Sequence, residues 1–236
     1  MQVRVGTVGG RAAVATAVAV LLGGCAGAAD DAGRTSASAS ASTRGVAAGE
    51  TGKKATAAAR GTTLGPAGSA CELPVRFGLA KGWKPKPVDA EKELAAASKG
   101  EDGDLAGELA ALFRQGPVTA ACEIDAKPAG HIGFLRVWRG KPGGADAGGV
   151  LRAFLAAEKG VSEAKYHSFK TGGGVAAVEA EYVKTDELSD GTKKESAFAV
   201  VTPDGPVVLH LGGMDTQEHD EMRPAYDLAR QTLTLS

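Results

Sequence analysis

The residue best placed for covalent chemistry is Cys25, in Leu21-Leu22-Gly23-Gly24-Cys25, where a thiol follows an apolar run behind two small side chains. This is the pattern of a lipoprotein processing site. Small residues let a peptidase reach the bond before the cysteine, and only a thiol forms the thioether that carries diacylglycerol. Cys25 is therefore the expected lipidation site and the first residue of the mature chain. The preceding segment agrees. Arg4 and Arg11 form a positive n-region, and Ala12 to Leu22 is an apolar run of 11 residues whose one polar side chain is Thr16. A membrane-spanning helix needs about 20 apolar residues, whereas a cleaved signal has about 7 to 15. Residues 1–24 thus read as a lipoprotein signal peptide. The protein is expected to be extracytoplasmic, anchored to the outer face of the cell membrane through Cys25.

Downstream, no residue set is as specific. His210, Asp215, Glu218, His219 and Asp220 fall within 11 residues, and imidazole and carboxylate both suit a divalent first-row ion. Their spacing is neither HxH nor HExxH, so no two imidazoles share a face; a solvated loop and helix start is expected, with no metal site. His131 and His167 stand alone at strand starts. No serine sits in a GxSxG elbow. Gly172-Gly173-Gly174 precedes a strand rather than a helix, so it makes a hairpin turn and not a phosphate cradle. Trp83 and Trp138 fit core packing better than a ligand groove. No catalytic residue, metal or cofactor is expected, and the protein is not expected to be an enzyme.

Composition sets what must position these residues. Between Ala26 and Ala70, 34 of 45 residues are Ala, Gly, Ser or Thr and none is aromatic. Such a stretch has little apolar area to offset backbone ordering, about 1 to 2 kcal/mol per residue. Residues 25–70 therefore read as a lipid-anchored disordered linker, with a reach of about 35 to 40 Å as a flexible coil. All 11 aromatic residues lie beyond it, so residues 71–236 read as a single globular domain. The first 70 residues hold 7 of the 27 basic and 3 of the 28 acidic side chains, leaving 20 and 25 in the domain, a balance of −5. That disfavours nucleic acid as a partner.

Cys71 and Cys122 remain once Cys25 carries lipid. Each opens an expected strand, and outside the cytoplasm the pair reads as a disulfide, with two free buried thiols as the alternative.

Periodicity within the domain switches between two and 3.6 residues. Strands are expected over 73–79, 118–124, 131–138, 165–170, 175–183, 193–201 and 206–211. Helices are expected over 89–113, broken near Gly100 and Gly103, over 146–159, and at the C-terminus. There Asp220 is the expected cap, because a start at Asp215 would bury Pro224 in mid-helix. Lys84 to Pro87, with two prolines, reads as a break. The sum is α+β, an antiparallel β-sheet flanked by helices.

The opening strand running into Lys81-Gly82-Trp83, the meander, the run Val175 to Tyr182, the strand Pro206 to Leu211 and the closing helix resemble the PsbP/Mog-type fold. More closely, the layout is similar to LpqN-type actinobacterial lipoproteins. The resemblance implies an α/β/α sandwich acting as a non-enzymatic binding or assembly module, with no catalytic residues to carry over. The expected function is a lipid-anchored cell-envelope module that binds an unidentified cell-surface protein. A hydrophobic-ligand carrier, or an envelope enzyme acting on glycan or lipid, is the alternative. A deep apolar pocket would favour the carrier, and converging polar groups in a cleft the enzyme.

Overall fold

The structure, a computed structural model, describes residues 56–97, 107, 110–185 and 191–236. The signal peptide, Cys25, most of the expected linker and the middle of the first helical region lie outside the described residues. The chain forms strands β1 (Arg60–Leu64), β2 (Val75–Ala80) and β3 (Lys84–Pro87), helix α1 (Ala90–Ala97), then strands β4 (Arg114–Gln115), β5 (Val118–Asp125) and β6 (Gly133–Gly140). Helix α2 (Ala147–Ala156) follows, then strands β7 (Val161–Lys170), β8 (Ala176–Thr185), β9 (Thr192–Thr202) and β10 (Gly205–Gly213), helix α3 (Thr216–Thr232) and strand β11 (Thr234–Leu235).

Alternation is clearest in β5, where every second residue from Val118 to Ile124 is buried. It pairs antiparallel with β6, so the expected hairpin is present. The main sheet runs β3-β5-β6-β10-β9-β8-β7, with β4 also paired to β5, and a second sheet runs β1-β2-β11. All named strand pairs are antiparallel. β9 and β10 lie mid-sheet with both faces covered, which is why β10 is buried along its whole length. On one face Val207, Leu209 and Leu211 pack with Phe198, Phe77, Met222 and Tyr226, under α3 and β2. On the other, Val208, Ala197 and Ala199 pack with Val150, Leu151 and Phe154 of α2. Two apolar layers thus hold the sheet between helices, as expected. Phe154 is fully buried and meets Trp138 edge to face; truncation to Ala would cost about 3 to 5 kcal/mol.

Helix α2 starts where Asp146 accepts a hydrogen bond from Gly149 N–H at 2.7 Å, satisfying one orphan donor of the first turn. The turn at Gly172 is pressed against the end of α3: a Cβ there would lie 1.6 Å from the Gln231 carbonyl oxygen. Only glycine permits that approach.

Four expectations are corrected. The fold begins before residue 71: β1 lies inside the segment read as linker and pairs with β2, burying Leu64 alone of its side chains. Backbone ladder bonds, which composition does not report, hold it. Lys84 to Pro87 is a strand, because at the sheet edge a proline needs no ladder donor on its outer side. Helix α3 is capped by Asp215, whose carboxylate accepts from Glu218 N–H at 2.8 Å, and Pro224 does lie inside it. The early start lets His219 and Met222 reach the sheet, which outweighs one missing helical hydrogen bond. Finally, Cys71 precedes β2 and Cys122 lies in the middle of β5, and neither opens its strand.

Candidate functional site

The disulfide Cys71–Cys122 is formed, with a Cα–Cα separation of 6.0 Å, and ties the entry to β2 onto the centre of β5. Its setting is apolar: both residues are buried.

The cluster read between His210 and Asp220 comes apart. His210 faces α2 while His219 faces the opposite side of the sheet, because the strand ends and the helix cap at Asp215 turn the chain between them. Each then joins groups from distant parts of the sequence.

On the α3 face, His219 Nε2 and Ser196 Oγ share a hydrogen bond of 2.9 Å, and His219 Nδ1 lies 3.2 Å from Asp220 Oδ1. Arg223 Nη1 donates to the same Ser196 Oγ at 3.0 Å. In the tautomer whose Nδ1–H meets Asp220, Nε2 accepts the Ser196 proton and the three form a Ser–His–Asp chain. Burial pushes the His219 imidazole below its usual value, against the opposing pull of Asp220. Burial would raise the Asp220 carboxyl, but its bond to His219 and the charge of Lys194 pull it down. These groups line a cleft of about 250 Å³ together with Glu181.

The order of groups is that of nucleophilic catalysis, yet their placement is not. Ser196 lies inside β9, facing Glu181 of β8 and Leu211 of β10. In a strand paired on both sides every N–H is used by the ladder, so β9 itself offers no amide to an oxyanion. The serine is also fully buried. The chain therefore fastens α3 to β9.

Arg223 holds the same seam further along. Its Nη2 donates to Glu179 Oε1 at 2.9 Å and its Nη1 to Glu181 Oε1 at 2.6 Å. Arg230 Nη2 and His167 Nε2 approach Glu179 Oε2 at 3.3 and 2.7 Å. His167, expected to stand alone, is thus one wall of a cage around a buried carboxylate.

On the α2 face the hydroxyl of Tyr182 lies 2.9 Å from Glu158 Oε2, 3.1 Å from Glu195 Oε2 and 3.1 Å from His210 Nε2. His210 Nε2 is 2.7 Å from Glu195 Oε2, and Lys193 Nζ is 3.1 Å from Glu195 Oε1. Burial works to raise the Glu195 carboxyl, but the charge and hydrogen bond of His210, with Lys184 and Lys193, hold it at about 2. Burial and the two carboxylates push the Tyr182 hydroxyl well above its usual value. Glu158, Glu195 and His210 have the atoms of a metal site. The Tyr182 hydroxyl, however, fills the point on which they converge, so the arrangement is a hydrogen-bond hub.

Sequence reasoning missed Glu179, Tyr182, Glu195, Ser196 and Arg223. A signal exists for two of them. Glu179 directly follows Ala176-Ala177-Val178 and Glu195 comes just before the run Ala197 to Val201, so each carboxylate adjoins an apolar stretch of strand, which is tolerable only if each is paired. Trp83 and Trp138 are both buried, as expected. Among the described residues no helix is long and apolar enough to cross a membrane.

A family described as uncharacterised lipoprotein matches residues 40–233. No curated protein matches the chain. Among solved structures it is similar to the solution structure of cyanobacterial PsbP (CyanoP) from Synechocystis sp. PCC 6803, at 13% identity and a TM-score of 0.43, over 75% of this chain and 98% of that one.

Proposed function

We propose, taking as premise that the chain belongs to the uncharacterised lipoprotein family, that it is a membrane-anchored envelope module, of the LpqN type, that binds an extended segment of a partner protein by strand addition along β7. Cys25 carries the anchor, and the module works by contact rather than by chemistry.

The observation that carries this reading is the difference between the two edges of the main sheet. The β3 edge is Lys84-Pro85-Lys86-Pro87, in which two residues have no N–H to offer. The β7 edge is ten residues long, contains no proline and is mostly exposed. Among the described residues no strand pairs with its outer side. An open strand of this length offers a partner a row of backbone donors and acceptors, the basis of strand addition. Lys165, Lys170 and a bulge at Glu163, whose φ is 53°, break up its surface, which guards it against self-pairing.

The polar groups able to do chemistry are engaged with one another as ties between layers, which supports a binding role over an enzyme. Both faces of the sheet are filled by side chains, which supports it over a hydrophobic-ligand carrier. The test is photo-crosslinking in intact cells, with the reactive group placed at Tyr166 on β7 or at Lys86 on β3 of the full chain. A discrete adduct from Tyr166 alone is expected. Equal labelling from the two edges, or none from either, would refute strand addition at β7.

A further inference from the structure

The turn before β6 meets the first turns of α3 at three side chains that sequence separates by about 90 residues: His131, Glu218 and Glu221. His131 is fixed by its N–H, which donates to the Ala126 carbonyl at 3.3 Å. Glu218 and Glu221 are three apart and so share one face of the helix. Glu218 is oriented by a backbone donor: Ile132 N–H donates at 3.1 Å to Oε2, the same oxygen that lies nearest His131. A backbone donor that aims a carboxylate in this way is the usual support of a metal ligand.

The spacing between the three is informative. His131 Nδ1 lies 3.4 Å from Glu218 Oε2 and 3.8 Å from Glu221 Oε2. One ligand atom from each residue lies within 4.8 Å of the other two. Nδ1 is withdrawn from solvent, yet it has no hydrogen-bond partner among the described residues. Hydrogen-bonded N and O atoms sit about 2.7 to 3.2 Å apart. Two atoms bound to one ion at about 2.0 to 2.2 Å, at a tetrahedral angle, are instead about 3.4 Å apart. One imidazole nitrogen and two carboxylate oxygens thus surround a gap of ionic size, at separations longer than an ordinary hydrogen bond that suit either three ligands about one ion or the ion pairs of a protonated His131. A cavity of about 280 Å³ borders two of the three residues, His131 and Glu221.

We propose that His131, Glu218 and Glu221 bind a divalent first-row transition metal, in a site that pins the β5–β6 turn to α3. One nitrogen and two carboxylate oxygens suit Zn²⁺ and its neighbours rather than Ca²⁺, which takes six to eight oxygens. The site stands apart from β7 and does not depend on strand addition.

The experiment titrates the full untagged chain, purified in detergent and stripped with a chelator, with Zn²⁺ alone by calorimetry. One saturable site is expected, together with a higher melting temperature in its presence. His131→Asn and Glu221→Gln should each weaken that site at least tenfold, while Asp220→Asn, a neighbouring carboxylate outside the set, should not. Glu221 is half exposed, so its variant is expected to fold, and circular dichroism of each metal-free variant checks this. No saturable Zn²⁺ binding, or binding that His131→Asn and Glu221→Gln leave unchanged, overturns the site.

Discussion

Glu179 Oε1 accepts a hydrogen bond from Arg223 Nη2 at 2.9 Å, and the Glu179 side chain has no exposure to solvent. This pair joins β8 to the middle of α3, two elements separated in sequence by β9 and β10. Burial works against the charge of Arg223, and Glu179, together with Tyr226, Asp227 and Glu181, more than restores it.

Glu179→Leu should therefore destabilise the domain, because Arg223 and Arg230 would keep their charges without the carboxylate between them. Removing one partner of a buried pair costs about 3 to 5 kcal/mol. Arg223 retains some exposure, so the lower end of that range is expected in urea denaturation. A loss under about 1 kcal/mol would show that the cage is not a stabilising feature.

The hub on the opposite face should appear in acid. The Glu195 carboxyl is held at about 2, below its ordinary value of 4.5. A carboxyl lowered on folding contributes stability that is fully present above its unfolded value and is lost as pH falls through the folded one. Melting temperatures measured from pH 6 down to pH 2 should accordingly drop below about pH 4.5. Glu195→Gln should be less stable at pH 6 and lose less on acidification. Parallel curves for the two proteins would remove Glu195 as the cause.

Reduction of Cys71–Cys122 opens a loop set by a sequence separation of 51. The chain-entropy estimate for such a loop is about 4 kcal/mol, which corresponds to a fall in melting temperature of about 10 °C for a domain of this size. Before reduction, denatured protein should contain no free thiol at either position. Stoichiometric alkylation of both without reductant would contradict the bond.

Cys25→Ser should leave the protein unprocessed or shed from the membrane, since a hydroxyl does not form the thioether. Detergent partitioning and intact mass of the mature protein report this directly. Partitioning and mass equal to those of the unsubstituted chain would end the lipoprotein reading of residues 21–25.

His210 and His219 sit in buried hydrogen bonds, so replacing either by Ala should cost about 1 to 3 kcal/mol. Any loss of function in those variants has to be compared with their loss of fold. His167→Ala should be milder, because its ring is nearly half exposed.

Local features were legible in the chain. The β5–β6 hairpin, the turn at Gly172, the helix from Asp146 and the α+β class each follow from neighbours within a few residues, where periodicity and turn chemistry operate. The pairing of Cys71 with Cys122 was also legible, since compartment and count left little choice.

What the sequence did not contain was the neighbour across the ladder. Strand order places β6 beside β10 and puts β9 between β8 and β10. That order brings Tyr182, Glu195 and His210 to one point. The early start of α3, against the local preference of Pro224, carries Arg223 to Glu179 and Glu218 to His131. Propensity acts over one turn of chain, whereas these contacts arise from burying two faces of one sheet at once. Only the tertiary structure weighs a missing helical bond against that burial.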